Sequence, residues 1–211
     1  MYQVGDLVIY GSSGVCRVSA VGKPGVSYVD EGKDYYTLSP LYGTEVIYAP
    51  VDTKVHMRPT LTREEAEQFI REMPGMQEQE LDGKNLQLLV RQYQDAFQPH
   101  DCTALAKLIK TAYCKNTAAR KCGKKPGKVD EKYMKRAEEL LYGELAVALG
   151  ISRDSVPQYI REALRTERAA RQATQRIRAH NCIQRAAPDQ PWPGISIKRH
   201  DLERSCRFPF Y

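Results

Sequence analysis

In the first 58 residues the apolar runs "LVIY", "VCRVSAV", "YYTLS" and "EVIYAPV" are all short, and "GSSG", "GKPG", "DEGKD" and "LYG" break them apart. Segments of this length joined by glycine-rich connections predict the strands of a small, strongly bent antiparallel sheet or barrel, because a helix needs a longer unbroken run. Pro50 fits the end or the edge of a strand, since it has no N–H for a ladder. A unit of roughly 55 residues barely stabilises itself alone.

The period changes at Thr62, which forms a capping-box pattern with Glu65 in "TREE" ahead of Ala66, Phe69 and Ile70. From there to Leu164 the pattern is helical. Leu86, Leu89, Val90, Tyr93 and Phe97 share one face, and Leu105, Leu108, Ile109, Ala112 and Tyr113 share another. Asp130 is expected to cap a helix that turns Tyr133, Met134, Ala137, Leu140 and Leu141 inward and stops at Gly150. Ser152 is expected to cap a last helix bearing Val156, Tyr159, Ile160 and Leu164. The polar, glycine-flanked "GMQEQELDG" at 75–83 reads as a hinge. The expected organisation is α+β in two domains: a sheet domain over 1–60, a helix and linker over 61–80, a helical domain over 81–167 and a weakly packed, Arg-rich tail over 168–211.

Charge is distributed unevenly along this plan. Residues 1–60 carry 5 Lys/Arg against 6 Asp/Glu, and residues 61–106 carry 4 against 9. Residues 107–164 carry 13 against 7, and residues 165–211 carry 10 against 4, so the back half faces a polyanionic partner and the front half something else. The 6 cysteines form no CxxC pair and no zinc-like spacing with histidine, so no metal or other cofactor is expected. Reduced thiols and no signal peptide before Val4 point to the cytoplasm. The longest apolar candidate for a membrane span, Leu140 to Ile151, is too short and contains Glu144.

The densest basic run comprises Lys107, Lys110, Lys115, Arg120, Lys121, Lys124, Lys125, Lys128, Lys132, Lys135 and Arg136, opposed only by Asp130 and Glu131. It fits a nucleic-acid surface or a solvated face that keeps the chain soluble. "AVALGISRDSV" is open in the same way. Ala146, Gly150 and Val156 have the spacing of a helix-turn-helix presenting Arg153 and Gln158 to base edges, or of two core helices meeting at a capped turn. No catalytic set emerges: His56, His100, His180 and His200 have no motif around them, and the carboxylates from Glu64 to Glu72 suit an exposed helix face. The chain reads as a binding protein and not an enzyme.

The segments "YQVGDLVIYGSSGVCRV", "YYTL", "VIYAPVDTKVHMRP" and "DEKYMKRAEELLYGELAVALG" together resemble the CarD-type transcription regulators, which share their front domain with the transcription-repair coupling factor. The resemblance runs from about residue 2 to residue 165. It implies a Tudor-like antiparallel β-barrel followed by an all-α domain, a monomeric nucleoid-associated regulator, and no cofactor. It also implies that the barrel docks on the RNA polymerase β subunit by adding a strand edge. By carry-over that edge is Glu45, Val46, Ile47, Tyr48 and Pro50, with Lys23 on the adjoining turn; many members have an arginine where this chain has Tyr48. The helical domain of the family binds promoter DNA without base readout and stabilises the open complex. Here that implies Lys84, Asn85, Leu86, Arg91, Lys110, Lys115, Arg120, Lys121, Lys124, Lys125, Lys132 and Arg136. Leu86 occupies the place of the family's minor-groove tryptophan, while the single tryptophan, Trp192, lies in the tail. The residues leave two rival functions, a sequence-specific regulator using 140–165 and a protein-only adaptor.

Overall fold

A computed structural model describes residues 1–26, 30, 32–79, 85–98 and 101–169. Lys84, His100, most of the hinge segment's second half and the tail from residue 170, with Trp192, His180 and His200, lie outside the described residues.

Each front apolar run becomes a strand: β1 (Leu7–Tyr10), β2 (Gly14–Gly22), β3 (Tyr35–Pro40) and β4 (Ile47–Pro50). A fifth, β5 (Met57–Pro59), pairs with the outer side of β1. The antiparallel order is β4-β3-β2-β1-β5. This is an open sheet; the barrel closure expected from the sequence is not among its ladders. Gly11 and Gly14, at φ 46° and 78°, give the β1–β2 turn a backbone that other residues adopt poorly. Val18 pairs with Leu38 but Ala20 with Thr37, so Ser19 is an extra residue whose bulge bends the sheet.

Val8, Cys16, Val18, Tyr36, Leu38 and Ala49 form the sheet's own small core. Too few residues are buried there to hold the unit alone, and the other face of β1 supplies the remedy. Ile9, also buried, turns toward Leu105, Leu140 and Phe97 of the helical part.

The helices are α1 (Arg63–Glu72), α2 (Leu86–Phe97), α3 (Cys102–Lys121), α4 (Lys128–Leu149) and α5 (residues 156–169). Thr62 and Glu65 close the capping box at α1, Oγ1 accepting from Glu65 N at 3.2 Å and Oε2 accepting from Thr62 N at 2.8 Å. Ala66, Ile70 and Met73 then enter one core with Leu89, Tyr93, Leu108, Ile109, Ala137, Leu141 and Ile160. Thus α1 packs as part of the helical body. At the end of α4, Gly150 takes the left-handed conformation, with its N–H on Val147 O and Ile151 N–H on Ala146 O, a Schellman stop.

Two expected caps differ. The N-cap of α4 is Gly127, and Asp130 lies inside the first turn, where it is buried and accepts bonds from Tyr93 and Lys115. Ser152 precedes a short 3-10 turn and its hydroxyl pairs with that of Ser155 at 2.7 Å, not with a backbone N–H. No helix among the described residues is long and apolar enough to cross a membrane.

Candidate functional site

The first candidate surface is the β4 edge. Among the described strands β4 pairs only with β3, so it stands at the end of the strand order. The ladder begins at Ile47 opposite Leu38, so Glu45 and Val46 belong to the exposed approach and not to the strand. They lie beyond the ladder because Ser39 and Pro40 of β3 pair only with β2. Ile47, Tyr48 and Pro50 are half-buried, and Ala49 points into the sheet core. Lys23 is exposed, and follows Gly22, which pairs with Tyr35, which pairs with Pro50. Lys23 and the end of β4 therefore share one end of the sheet.

The second surface surrounds the turn between α3 and α4. Arg120, Lys121, Lys124, Lys125 and Lys132 are exposed there, with Gly123 at φ 70° letting the chain reverse. Asp130 fixes the base of this turn: it accepts from Tyr93 Oη at 2.7 Å and Lys115 Nζ at 2.9 Å, while the Tyr93 ring stacks on Tyr133 at 5.0 Å. Burial, and then the bond and charge of Asp130, push the Tyr93 phenol far above its ordinary range, so it remains a donor. Lys115 is thereby half committed to Asp130, and Arg120 stands 3.9 Å from Glu131. Lys110 is a clearer departure. It is 8% exposed and its ammonium donates to Met76 O at 2.7 Å, which ties the chain after α1 onto α3 and takes this lysine out of any open surface.

Asn85 caps α2, its Oδ1 accepting from Gln87 N at 2.9 Å and Leu88 N at 3.3 Å. Leu86 beside it is 61% exposed and Leu88 41%, whereas Leu89 and Tyr93 fill the core. The periodicity puts Leu86 on the apolar face, but at the first turn that face has run past its neighbours. Arg91 is exposed further along α2.

What sequence reasoning did not find is the junction between the sheet and α4. Arg136, Leu140, Gly143 and Glu144, at i, i+4, i+7 and i+8, lie on one helical stripe and all meet the sheet. Arg136 donates to Ser12 O, and Tyr42 Oη donates to Gly143 O at 3.5 Å. A side chain at Gly143 would meet Tyr42 at 3.0 Å, and one at Gly14 would meet Leu140 at 3.0 Å, so both glycines permit the close approach. Deepest is Glu144, whose carboxylate accepts from both terminal nitrogens of Arg58, with Nη2–Oε2 at 2.8 Å, from Leu61 N at 3.2 Å and from Cys102 Sγ at 3.1 Å. Burial draws the Arg58 guanidinium down, but the bond and charge of Glu144 outweigh this and hold it above its ordinary value. Burial, reinforced by Glu144, keeps the Cys102 thiol well above its own. The one visible signal is a lone Glu144 within the apolar segment 140–151.

Residues 2–61 match the family model of the CarD-like/TRCF RID domain. This part of the chain is similar to the RID domain of that family. A search of curated proteins returns no match. The RID domain ends where Leu61 donates to Glu144, so the helical body begins at the contact that grips the domain.

The segment around Gly150, offered by the sequence as a helix-turn-helix or as a capped turn of two core helices, packs against the helical core and reaches the matched domain. Ala146 and Val156 lie in the helical core, Gln158 donates to Glu162 at 2.8 Å, and the Arg153 guanidinium lies 4.7 Å over the Tyr42 ring of the RID domain.

Proposed function

We propose that the chain is a transcription regulator that docks on the RNA polymerase β subunit through the β4 edge. On this reading the exposed cations of the α3–α4 turn bind promoter DNA without base readout, and the bridge stabilises the open complex. The carrying observation is β4 at the end of the described strand order, on a domain that matches the RID family. An edge of this kind recruits a partner strand by main-chain hydrogen bonds, and Ile47, Tyr48, Val46 and Lys23 around it supply selectivity. The near balance of charge over residues 1–60 and the basic excess over 107–164 divide the two tasks between the two parts. Two weak contacts joined in one chain make the second effectively intramolecular, so neither need be tight.

The test is capture of purified polymerase by the full chain carrying Ile47→Pro. Proline there removes the N–H that Ile47 turns toward Leu38 and bends the edge strand, which should abolish most capture while the circular dichroism of the helices is retained. Undiminished capture by the folded variant would move the interface away from β4. A second expectation concerns Leu86, whose exposure beside the Asn85 cap suits an apolar wedge at an unstacked base step. Leu86→Ala should shorten the lifetime of the open complex and leave closed-duplex affinity and thermal stability nearly unchanged. Equal losses in all three would return it to a packing role.

A further inference from the structure

A polar cavity of about 230 Å³ lies between the β1–β2 turn, Tyr42 and the side of α4, lined by Ser13, Tyr42, Arg136, Glu139, Gly143 and Arg153 among others. We infer that it is a phosphate-binding site at the junction of the RID domain and the helical body, with the guanidinium of Arg153 as the principal anion ligand.

The inference rests on how Arg153 is held. The residue is half-buried, and its guanidinium lies over the Tyr42 ring at 4.7 Å. Among the ion pairs of the described residues, none includes Arg153. Stacking immobilises a guanidinium without using its N–H donors, so the donors remain available in a fixed fork, the arrangement that suits a phosphate. Arg136 faces the same cavity from α4 with a second guanidinium, anchored by its bond to Ser12 O and by Glu139 at 3.3 Å. Ser13 contributes a hydroxyl from the exposed turn. Glu139 opposes an anion and balances Arg136 in the meantime, which leaves Arg153 as the uncompensated charge. Gly143 and Gly14 line the same cavity and let Tyr42 and Leu140 pack close against their backbone. A phosphate bound here would contact both the sheet part and the helical part and so clamp them together. The ligand could be a free phosphate ester, or the backbone of nucleic acid entering from the basic side of α4. The second source rests on the DNA reading above, and the first does not.

The test uses the full chain and pyrophosphate as the probe, followed by calorimetry and by the amide spectrum. Pyrophosphate should bind and shift the signals of Ser13, Gly143 and Arg153. Arg153→Gln should weaken it about tenfold, the order of one charge-assisted contact, and Glu139→Gln should tighten it, since a competing carboxylate is gone. Lys124→Ala with Lys125→Ala should leave pyrophosphate binding unchanged, which separates this site from the α3–α4 turn. If duplex DNA displaces pyrophosphate and Arg153→Gln weakens both, the source is nucleic acid. If Arg153→Gln spares duplex affinity, it is a free phosphate ester. No binding, or binding indifferent to both Arg153→Gln and Glu139→Gln, overturns the site. Should Arg153→Gln fail to fold, binding unmoved by Glu139→Gln overturns it by itself.

Discussion

Glu144→Ala is expected to cost the chain about 3–5 kcal/mol of stability, the range for removing one partner of a buried ion pair. Glu144 is 2% exposed and satisfies four donors from three residues: both arms of Arg58, the Leu61 amide and the Cys102 thiol. Alanine would leave the Leu61 N–H without its acceptor and the Arg58 charge without its counterion. The lower end of the range applies because the Arg58 side chain retains 24% exposure and water can take over some of its donors. The measurement is urea denaturation of the full chain. A loss below about 1 kcal/mol would mean that the junction is wet and the pair weak. The double variant Arg58→Met, Glu144→Leu should recover the part of the loss that comes from the unpaired Arg58 charge, but not the part from the Leu61 N–H, which still lacks its acceptor. Nor should it recover a single fixed angle between the sheet and α4, since the bidentate fork is the directional element there.

That junction also marks the limit of what the sequence discloses. Strands β1 to β4 are legible because alternation and glycine breaks are local signals, and α1 is legible from Thr62 and Glu65, three residues apart. β5 is not, since "MRP" has no period of its own and is a strand only because β1 offers it a ladder. Asp130 is readable as a polar residue at the head of a helix, but its true role depends on Tyr93, 37 residues earlier. Arg58 and Glu144 are 86 residues apart, and no spacing rule joins them. Lysines hide best of all. Lys110 and Lys124 look alike in a basic run, yet one is buried against Met76 O and the other is exposed, because a long stem can carry its ammonium to a carbonyl that only the fold brings near.

The last expected result follows from that sorting of the lysines. Lys124 and Lys125 lie exposed in the α3–α4 turn, outside the ion pairs of the described residues, whereas Lys110 and Lys115 are engaged within the fold. If the turn rests on DNA phosphates, each neutralised phosphate adds about 0.9 to the slope of log affinity against log salt. Lys124→Ala with Lys125→Ala should flatten that slope by up to about 2 and weaken binding alike on two unrelated duplexes, because phosphates are the same in both. Lys110→Met should leave the slope unchanged, since its ammonium is spent on Met76 O. Polymerase capture should survive the double variant, because Lys124 and Lys125 lie in the turn between α3 and α4 and not in the sheet. A salt titration of duplex binding decides the matter. An unaltered slope would make these lysines a solvated face, and a loss confined to one duplex would favour base readout from the segment around Gly150 over backbone contact.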